Sequence, residues 1–272
     1  MKPASFDYAR AGSVAEAVAM LAADDFARPI AGGQSLGPML NLRLARPSML
    51  IDIKRIPELR AADADGRVMR IGACRTHAEI EDGVIEDMTH GMLAMVAGGI
   101  AYRAVRNRGT LGGSVSHADP AADWPCALVA LGATLVVHGP AGERRIAAEG
   151  FVLGAYATAL QAGEIVGAIE LPRLQPGARW GYYKICRKAG EFASAIGAVV
   201  LDEAAGVARV VCGAVDGPPI PLTVTAARLR DSGPEGAAAI VSDEIDRVLP
   251  HGDAIVRQLH TVAVRRALGQ VA

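Results

Sequence analysis

Residues Arg106 to Pro120 read RNRGTLGGSVSHADP. The stretch is poor in large apolar side chains, rich in groups that bind oxygen, and carries adjacent glycines at Gly112 and Gly113. One glycine is enough to turn a corner. A pair, with Thr110 before it, Ser114 after it and Asp119 and Asp123 beyond, asks for another reason. A diphosphate supplies one, because it needs several backbone N–H groups converging on its oxygens and a backbone without a Cβ in the way. A helix N-terminus at the same place adds a favourable dipole, and the hydroxyls of Thr110 and Ser114 add donors. A Cβ at either glycine is then expected to strike the bound anion or to force an unfavourable φ.

A similar segment lies upstream. AGGQS, Ala31 to Ser35, follows a predicted short strand and ends on another hydroxyl. Alone it reads equally as a plain glycine turn. Together with Thr110–Ser114 it reads as the other half of an anion cradle. Neither segment is GxGxxG or GxxxxGK(S/T), so neither a nicotinamide-type Rossmann fingerprint nor a P-loop is present.

Working outward, the chain alternates helices and strands. GSVAEAVAML, with Ser13 three residues before Glu16, predicts a capping box and a helix whose Val14, Val18 and Leu21 share a face. ARPIAGG and SMLIDIK predict strands around a helix LGPMLNLRLA, making a β–α–β unit over residues 1–55. Residues 56–172 form a second region. RVMRIGA, ATLVVHG and EIVGAIELP read as strands, Thr76 with Glu79 opens a short helix, and MLAMVAGGIAY and WPCALVALG read as helices. Asp123 stands where it caps the last of these, with Pro125 tolerated in the first turn. Residues 173–272 form a third region. Its strands WGYYKICRK, ASAIGAVVLD and VARVVCGAV come before helices that include DAIVRQLHTVAVRRALG, an α+β pattern.

Composition excludes several classes. With 51% hydrophobic and 21% charged residues the chain is globular, and a net charge of -1 gives no basic field for nucleic acid. MKPASFDYAR has no apolar signal-peptide core, and no apolar run is long enough to span a bilayer. Cys74, Cys126, Cys186 and Cys212 are far apart, against zinc or iron–sulfur ligation and consistent with reduced, mostly buried thiols in the cytoplasm.

AGGQSLGPMLNLRLARPSMLIDI followed by RNRGTLGGSVSHADPAADWP resembles the FAD-binding medium subunit of the molybdenum hydroxylases, the group of xanthine dehydrogenase and aerobic carbon monoxide dehydrogenase. The likeness extends to PASFDYARAGSVAEAVAML, YYKICRKAGEFASAIGAVV and VAVRRAL. The resemblance implies a vanillyl-alcohol-oxidase-like FAD-binding fold. Two N-terminal α+β subdomains bind the flavin, and a C-terminal domain with a three-stranded antiparallel sheet and helices covers it. It further implies electron transfer from the 2Fe–2S clusters of a small partner subunit, through FAD, to an external acceptor. A large molybdenum–pterin subunit carries the hydroxylation, and the whole forms a dimer of heterotrimers. A stand-alone flavin reductase or oxidase of this fold, and a non-enzymatic nucleotide-binding module, are the alternatives.

By the same resemblance Ala31, Gly32, Gly33, Gln34 and Ser35, with Thr110, Leu111, Gly112, Gly113 and Ser114, form the cofactor loops. Ile100 and Val166 are apolar contacts, Asp123 and Lys184 touch FAD, and Phe192 lies where relatives place an aromatic beside the flavin ring. Gln34 and Ser114 depart from the histidine and asparagine of some relatives but still donate hydrogen bonds, which shifts the implied substrate away from carbon monoxide. Each residue also has a plainer reading. Asp123 is then only a helix cap, Lys184 a surface strand residue and Phe192 ordinary core. His117 invites an acid–base role but reads as a loop residue beside the cofactor. Arg103, Arg106 and Arg108 read as a solvated or subunit-contacting face, with phosphate neutralisation as the other possibility.

Overall fold

A computed structural model describes residues 1–272. The chain opens with strand β1 (Asp7–Arg10), helix α1 (Val14–Ala23), strand β2 (Arg28–Ile30), helix α2 (Leu36–Asn41) and strand β3 (Met49–Asp52). β3 lies between β1 and β2 and runs parallel to both, as the β–α–β pattern requires. Half of the expected capping box forms on α1. Ser13 Oγ accepts from the Glu16 N–H at 3.1 Å, whereas the Glu16 carboxylate accepts from Gly12 at 2.7 Å. α2 is shorter than its apolar pattern suggests. Arg43 takes a left-handed φ of 58°, and the N–H groups of Arg43 and Leu44 turn back onto the carbonyls of Leu40 and Met39. This is a Schellman ending with arginine where glycine is usual.

The middle of the chain supplies β4 (Ala62–Ala64), β5 (Val68–Gly72), α3 (His77–Glu81), α4 (Met92–Gly98), α5 (Arg103–Arg106), α6 (Leu111–His117) and α7 (Asp123–Leu131). It continues with β6 (Thr134–Gly139), β7 (Gly142–Ala147), β8 (Val152–Gly154), β9 (Ala157–Thr158) and β10 (Ile165–Pro172). An antiparallel sheet of order β4-β5-β10-β6-β7 results, with β8 and β9 as a separate hairpin. Thr76 and Glu79 form the full capping box on α3. β7 adds to the sequence reading. Half of GERRIA is charged, and it is held as an outer strand by pairing with β6 and by ion pairs such as Arg145 to Glu170 at 3.0 Å.

The last region contains β11 (Arg179–Ile185), β12 (Ala195–Asp202), β13 (Val207–Gly213), β14 (Ile220–Pro221), α8 (Thr223–Val248) and α9 (Ala254–Gly269). The three long strands are antiparallel, and the two-residue β14 extends the sheet beyond β13. α8 breaks at Gly233, whose φ is 70°, just before Pro234.

Three apolar cores hold these elements together, one N-terminal, one central and one C-terminal. β12 shows how two of them meet. Ile196, Ala198 and Val200 face the central core with α7, while Val199 and Leu201 face the C-terminal core with Val264 of α9. The period-2 alternation of a strand therefore buries every residue of β12. No helix is long and apolar enough to cross a membrane.

Candidate functional site

Ala31–Ser35 forms the turn between β2 and α2. Gly33 takes a φ of 71°, open to glycine and strained for other residues. The Gln34 side-chain amide donates to the Gly32 carbonyl at 3.2 Å and closes the turn on itself. The backbone N–H groups of Ala31 through Ser35 donate to no acceptor in the protein, although all five residues are half-buried. Half-buried donors in sequence, at the start of a helix, are what an anion with several oxygens satisfies.

Thr110–Ser114 has a different construction. Thr110 caps α6, with its Oγ1 accepting from the Gly113 N–H at 3.2 Å, and the glycines occupy the first helical turn. Neither glycine has a positive φ, so the backbone-strain part of the expectation is corrected. The N–H groups of Leu111 through Ser114 are already engaged. Leu111 donates to Arg75, Gly112 to Ala73 and Ser114 to Thr110. Gly112 is buried, and a Cβ on it would lie 2.9 Å from the Ala73 Cα, so its bareness lets α6 rest on the end of β5. Gly113 is exposed, and the nearest atom to an added Cβ is Thr110 Oγ1 at 2.7 Å. The paired glycines therefore divide the work, one packing against the fold and one leaving an open face.

The two segments meet. A Cβ on Gly32 would overlap the Arg108 carbonyl and lie 2.9 Å from the Gly109 Cα. His77 fixes the second segment from the other side. Its N–H donates to the Gly109 carbonyl at 2.9 Å, and its Nδ1 accepts from the Trp124 indole at 3.1 Å. Burial, with a smaller contribution from the Arg106 charge, lowers the His77 pKa to about 4, so the ring is neutral and able to accept.

A second cluster lies at the start of α7. Asp123 is not the helix cap. Ala122 holds that position without a side-chain bond, and Asp123 lies inside the first turn. Its carboxylate turns inward, accepting from Tyr182 Oη at 2.7 Å and from Lys184 Nζ at 3.0 Å. Burial pushes the Asp123 carboxyl above its ordinary value, with Lys184 and Tyr182 pulling against it. Lys184 also donates to the Gly99 carbonyl at 3.0 Å, beside Ile100. Its side chain is 10% exposed, so it is not a free surface lysine. Phe192 is 65% exposed and is not core. Its loop is anchored by Ala193 donating to Ala121 and by Gly190, whose missing Cβ makes room for the Ala101 carbonyl.

The Ile100 turn, Asp123, Lys184 and the Phe192 loop thus form one cluster, and Ala31–Ser35 meets the residues just before Thr110 in another. α6 and α7 link the two. Val166 stands apart, buried on β10 in the central core behind α6. His117 packs its ring 5.2 Å from that of Tyr156. The basic cluster separates: Arg103 and Arg106 pair with Glu81 and Asp82, while Arg108 makes no ion pair. Arg108 lines a cleft of about 360 Å³ with Gly32, Lys54, Arg55, Arg60 and Thr110, where Lys54 and Arg60 are paired with Asp52 and Glu79 and Arg55 and Arg108 are not paired. Tyr182, Glu81 and the role of Arg106 were not legible in the sequence, because their partners lie 59, 25 and 6 residues away along the chain.

Residues 4–174 match the family model described as the FAD binding domain in molybdopterin dehydrogenase. The carbon monoxide dehydrogenase medium chain of Hydrogenophaga pseudoflava is 42% identical over 202 residues, which span 74% of this chain and 70% of that one. The nicotine 6-hydroxylase medium subunit of Paenarthrobacter nicotinovorans is 38% identical over 204 residues, 75% of this chain and 71% of that one. Among solved structures, carbon monoxide dehydrogenase from Hydrogenophaga pseudoflava superposes with a TM-score of 0.90 at 35% identity, covering 100% of this chain and 98% of that one. Quinoline 2-oxidoreductase from Pseudomonas putida 86 superposes with a TM-score of 0.89 at 31% identity, with the same coverage.

Proposed function

Because the chain belongs to the FAD-binding family of the molybdopterin dehydrogenases, we propose that it is the electron-transfer flavoprotein subunit of a molybdenum-dependent hydroxylase. The observation that carries this reading is the run of N–H groups from Ala31 to Ser35 without protein acceptors, set against a second glycine segment with an open face. That donor set fits a diphosphate. The N–H groups and the Ser35, Thr110 and Ser114 hydroxyls would hold it, and Arg55 and Arg108, the two cleft cations without an ion-pair partner, favour negative charge nearby. Ile100, Asp123, Lys184 and Phe192 would border the flavin ring, with Val166 as apolar support from β10. When bound, FAD supplies reversible redox chemistry that no side chain of this chain provides. The residues of the chain bind it, orient it and fix the charge beside it: Lys184, held by Asp123 and Gly99, places an ammonium of defined position at the ring end.

In this reading a small subunit with two 2Fe–2S clusters delivers electrons, a large molybdenum–pterin subunit performs the hydroxylation, and the assembly is a cytoplasmic dimer of heterotrimers. Native mass analysis of the complex purified from its source tests it. The expected result is three kinds of chain, with one flavin per copy of this chain released by acid precipitation. A free monomer with full oxidoreductase activity would overturn the subunit assignment, and flavin retained in the acid pellet would overturn non-covalent binding.

A further inference from the structure

We infer that Arg106, oriented by Glu81, is a positioning residue for the ring end of the cofactor site. The inference rests on the reading of Ile100 as a cofactor contact. Arg106 belongs to the basic run ahead of the second glycine segment, where phosphate neutralisation is the obvious role. Its geometry assigns it elsewhere. The side chain is 12% exposed, and each of its nitrogens is already committed. Nε and Nη2 grip the two Glu81 carboxylate oxygens at 2.7 and 3.0 Å. Nη1 donates to the Ile100 carbonyl at 3.0 Å and to the Ala101 carbonyl at 2.9 Å.

Those carbonyls belong to the turn that follows α4. Ala101 takes a φ of 45°, left-handed backbone that a residue with a side chain adopts only when its surroundings hold it. The turn is held from two sides: Arg106 takes the Ile100 and Ala101 carbonyls, and Lys184 takes the Gly99 carbonyl. The loop bearing Phe192 rests on the same turn through Gly190, where a Cβ would meet the Ala101 oxygen at 2.5 Å. Arg106 therefore sets the position of Ile100 directly, through its carbonyl, and that of Phe192 through the turn. Lysine cannot replace it, because a single ammonium does not bridge a carboxylate and two carbonyls in one plane.

The test compares two ligands of the full chain, FAD and ADP, since ADP carries the diphosphate without the ring. For Arg106→Lys the expected result is ADP affinity within about twofold of wild type, with FAD affinity weakened by about tenfold or more. The visible circular dichroism of the FAD-saturated variant should change as well. Glu81→Gln should shift both readouts in the same direction, and it decides the matter alone if Arg106→Lys does not fold. Unchanged FAD affinity and spectrum overturn the inference, and so does an equal loss of ADP and FAD binding. A wild-type chain that binds FAD no better than ADP would instead overturn the underlying reading of the ring end.

Discussion

Lys184 Nζ lies 3.0 Å from Asp123 Oδ2, joining the C-terminal sheet to the helix that follows the second glycine segment. The two side chains are 10% and 6% exposed, so neither charge is well hydrated. Tyr182, two residues before Lys184 on the same strand, binds the other carboxylate oxygen. A buried pair of this kind adds little net stability, but removing one partner strands the other. Lys184→Met is expected to cost about 3–5 kcal/mol, and the double variant Asp123→Asn with Lys184→Met markedly less. Urea unfolding followed by tryptophan fluorescence of both single variants and the double measures this, and a double loss equal to the sum of the two single losses would show that the charges are not coupled.

The adjacent glycines should respond differently to substitution. Gly112→Ala places a methyl against Ala73 and is expected to lower stability by about 1–3 kcal/mol, with or without FAD. Gly113→Val presses its Cβ on the Thr110 hydroxyl that caps α6, so a cap loss of about 1 kcal/mol is expected in a chain that still folds, while FAD binding weakens by about tenfold or more. Flavin stoichiometry and far-ultraviolet circular dichroism on one preparation separate the outcomes. A well-folded Gly113→Val chain with full flavin content would remove that residue from the cofactor surface.

His77 predicts an acid-side loss of stability. Its pKa lies at about 4 in the folded chain against 6.5 for the free side chain, so the unfolded chain binds more protons between those values. Stability then falls as pH drops from 6.5 toward 4, by up to about 3 kcal/mol from this residue. In His77→Gln that part of the slope should vanish, leaving the contributions of His138, whose pKa burial also lowers, and of the carboxylates. Denaturant midpoints at a series of pH values test this, and identical slopes in the two proteins would contradict it.

The four cysteines should divide by burial. Burial pushes the Cys74 and Cys212 thiols to about 12 and raises Cys126 as well, whereas Cys186 is half-buried at the end of β11. Since the thiolate is the reactive form, a colorimetric disulfide reagent should titrate Cys186 alone in the native chain and all four after unfolding. Fast reaction of a Cys186→Ser variant would show that a buried thiol becomes accessible in solution.

Much of the architecture was legible from local pattern. The apolar spacing of GSVAEAVAML and the Thr76–Glu79 capping pair depend on contacts within a few residues, the three long strands after residue 173 are marked by β-branched and apolar runs between turn residues, and all formed where local pattern placed them. The early end of α2 at a left-handed arginine and the charged edge strand β7 were not legible. Each depends on a neighbour that local composition does not name.

The sequence by itself determined which two segments can offer an anion bare backbone and hydroxyl donors, because these are properties of the residues themselves. Only the tertiary structure decided how that work is shared. It gave the unpaired N–H groups to Ala31–Ser35, turned Gly112 against Ala73 and left Gly113 open. It drew Asp123 away from helix capping to Lys184, 61 residues on, and separated Arg106 from Arg108, two residues apart in the chain, into a buried clamp and an unpaired cation beside a cleft. The physical reason is the same each time. A polar side chain bonds to whatever partner the fold brings within about 3 Å, and that partner is set by how β11, α4 and α7 pack, not by which residues stand next to it in the chain.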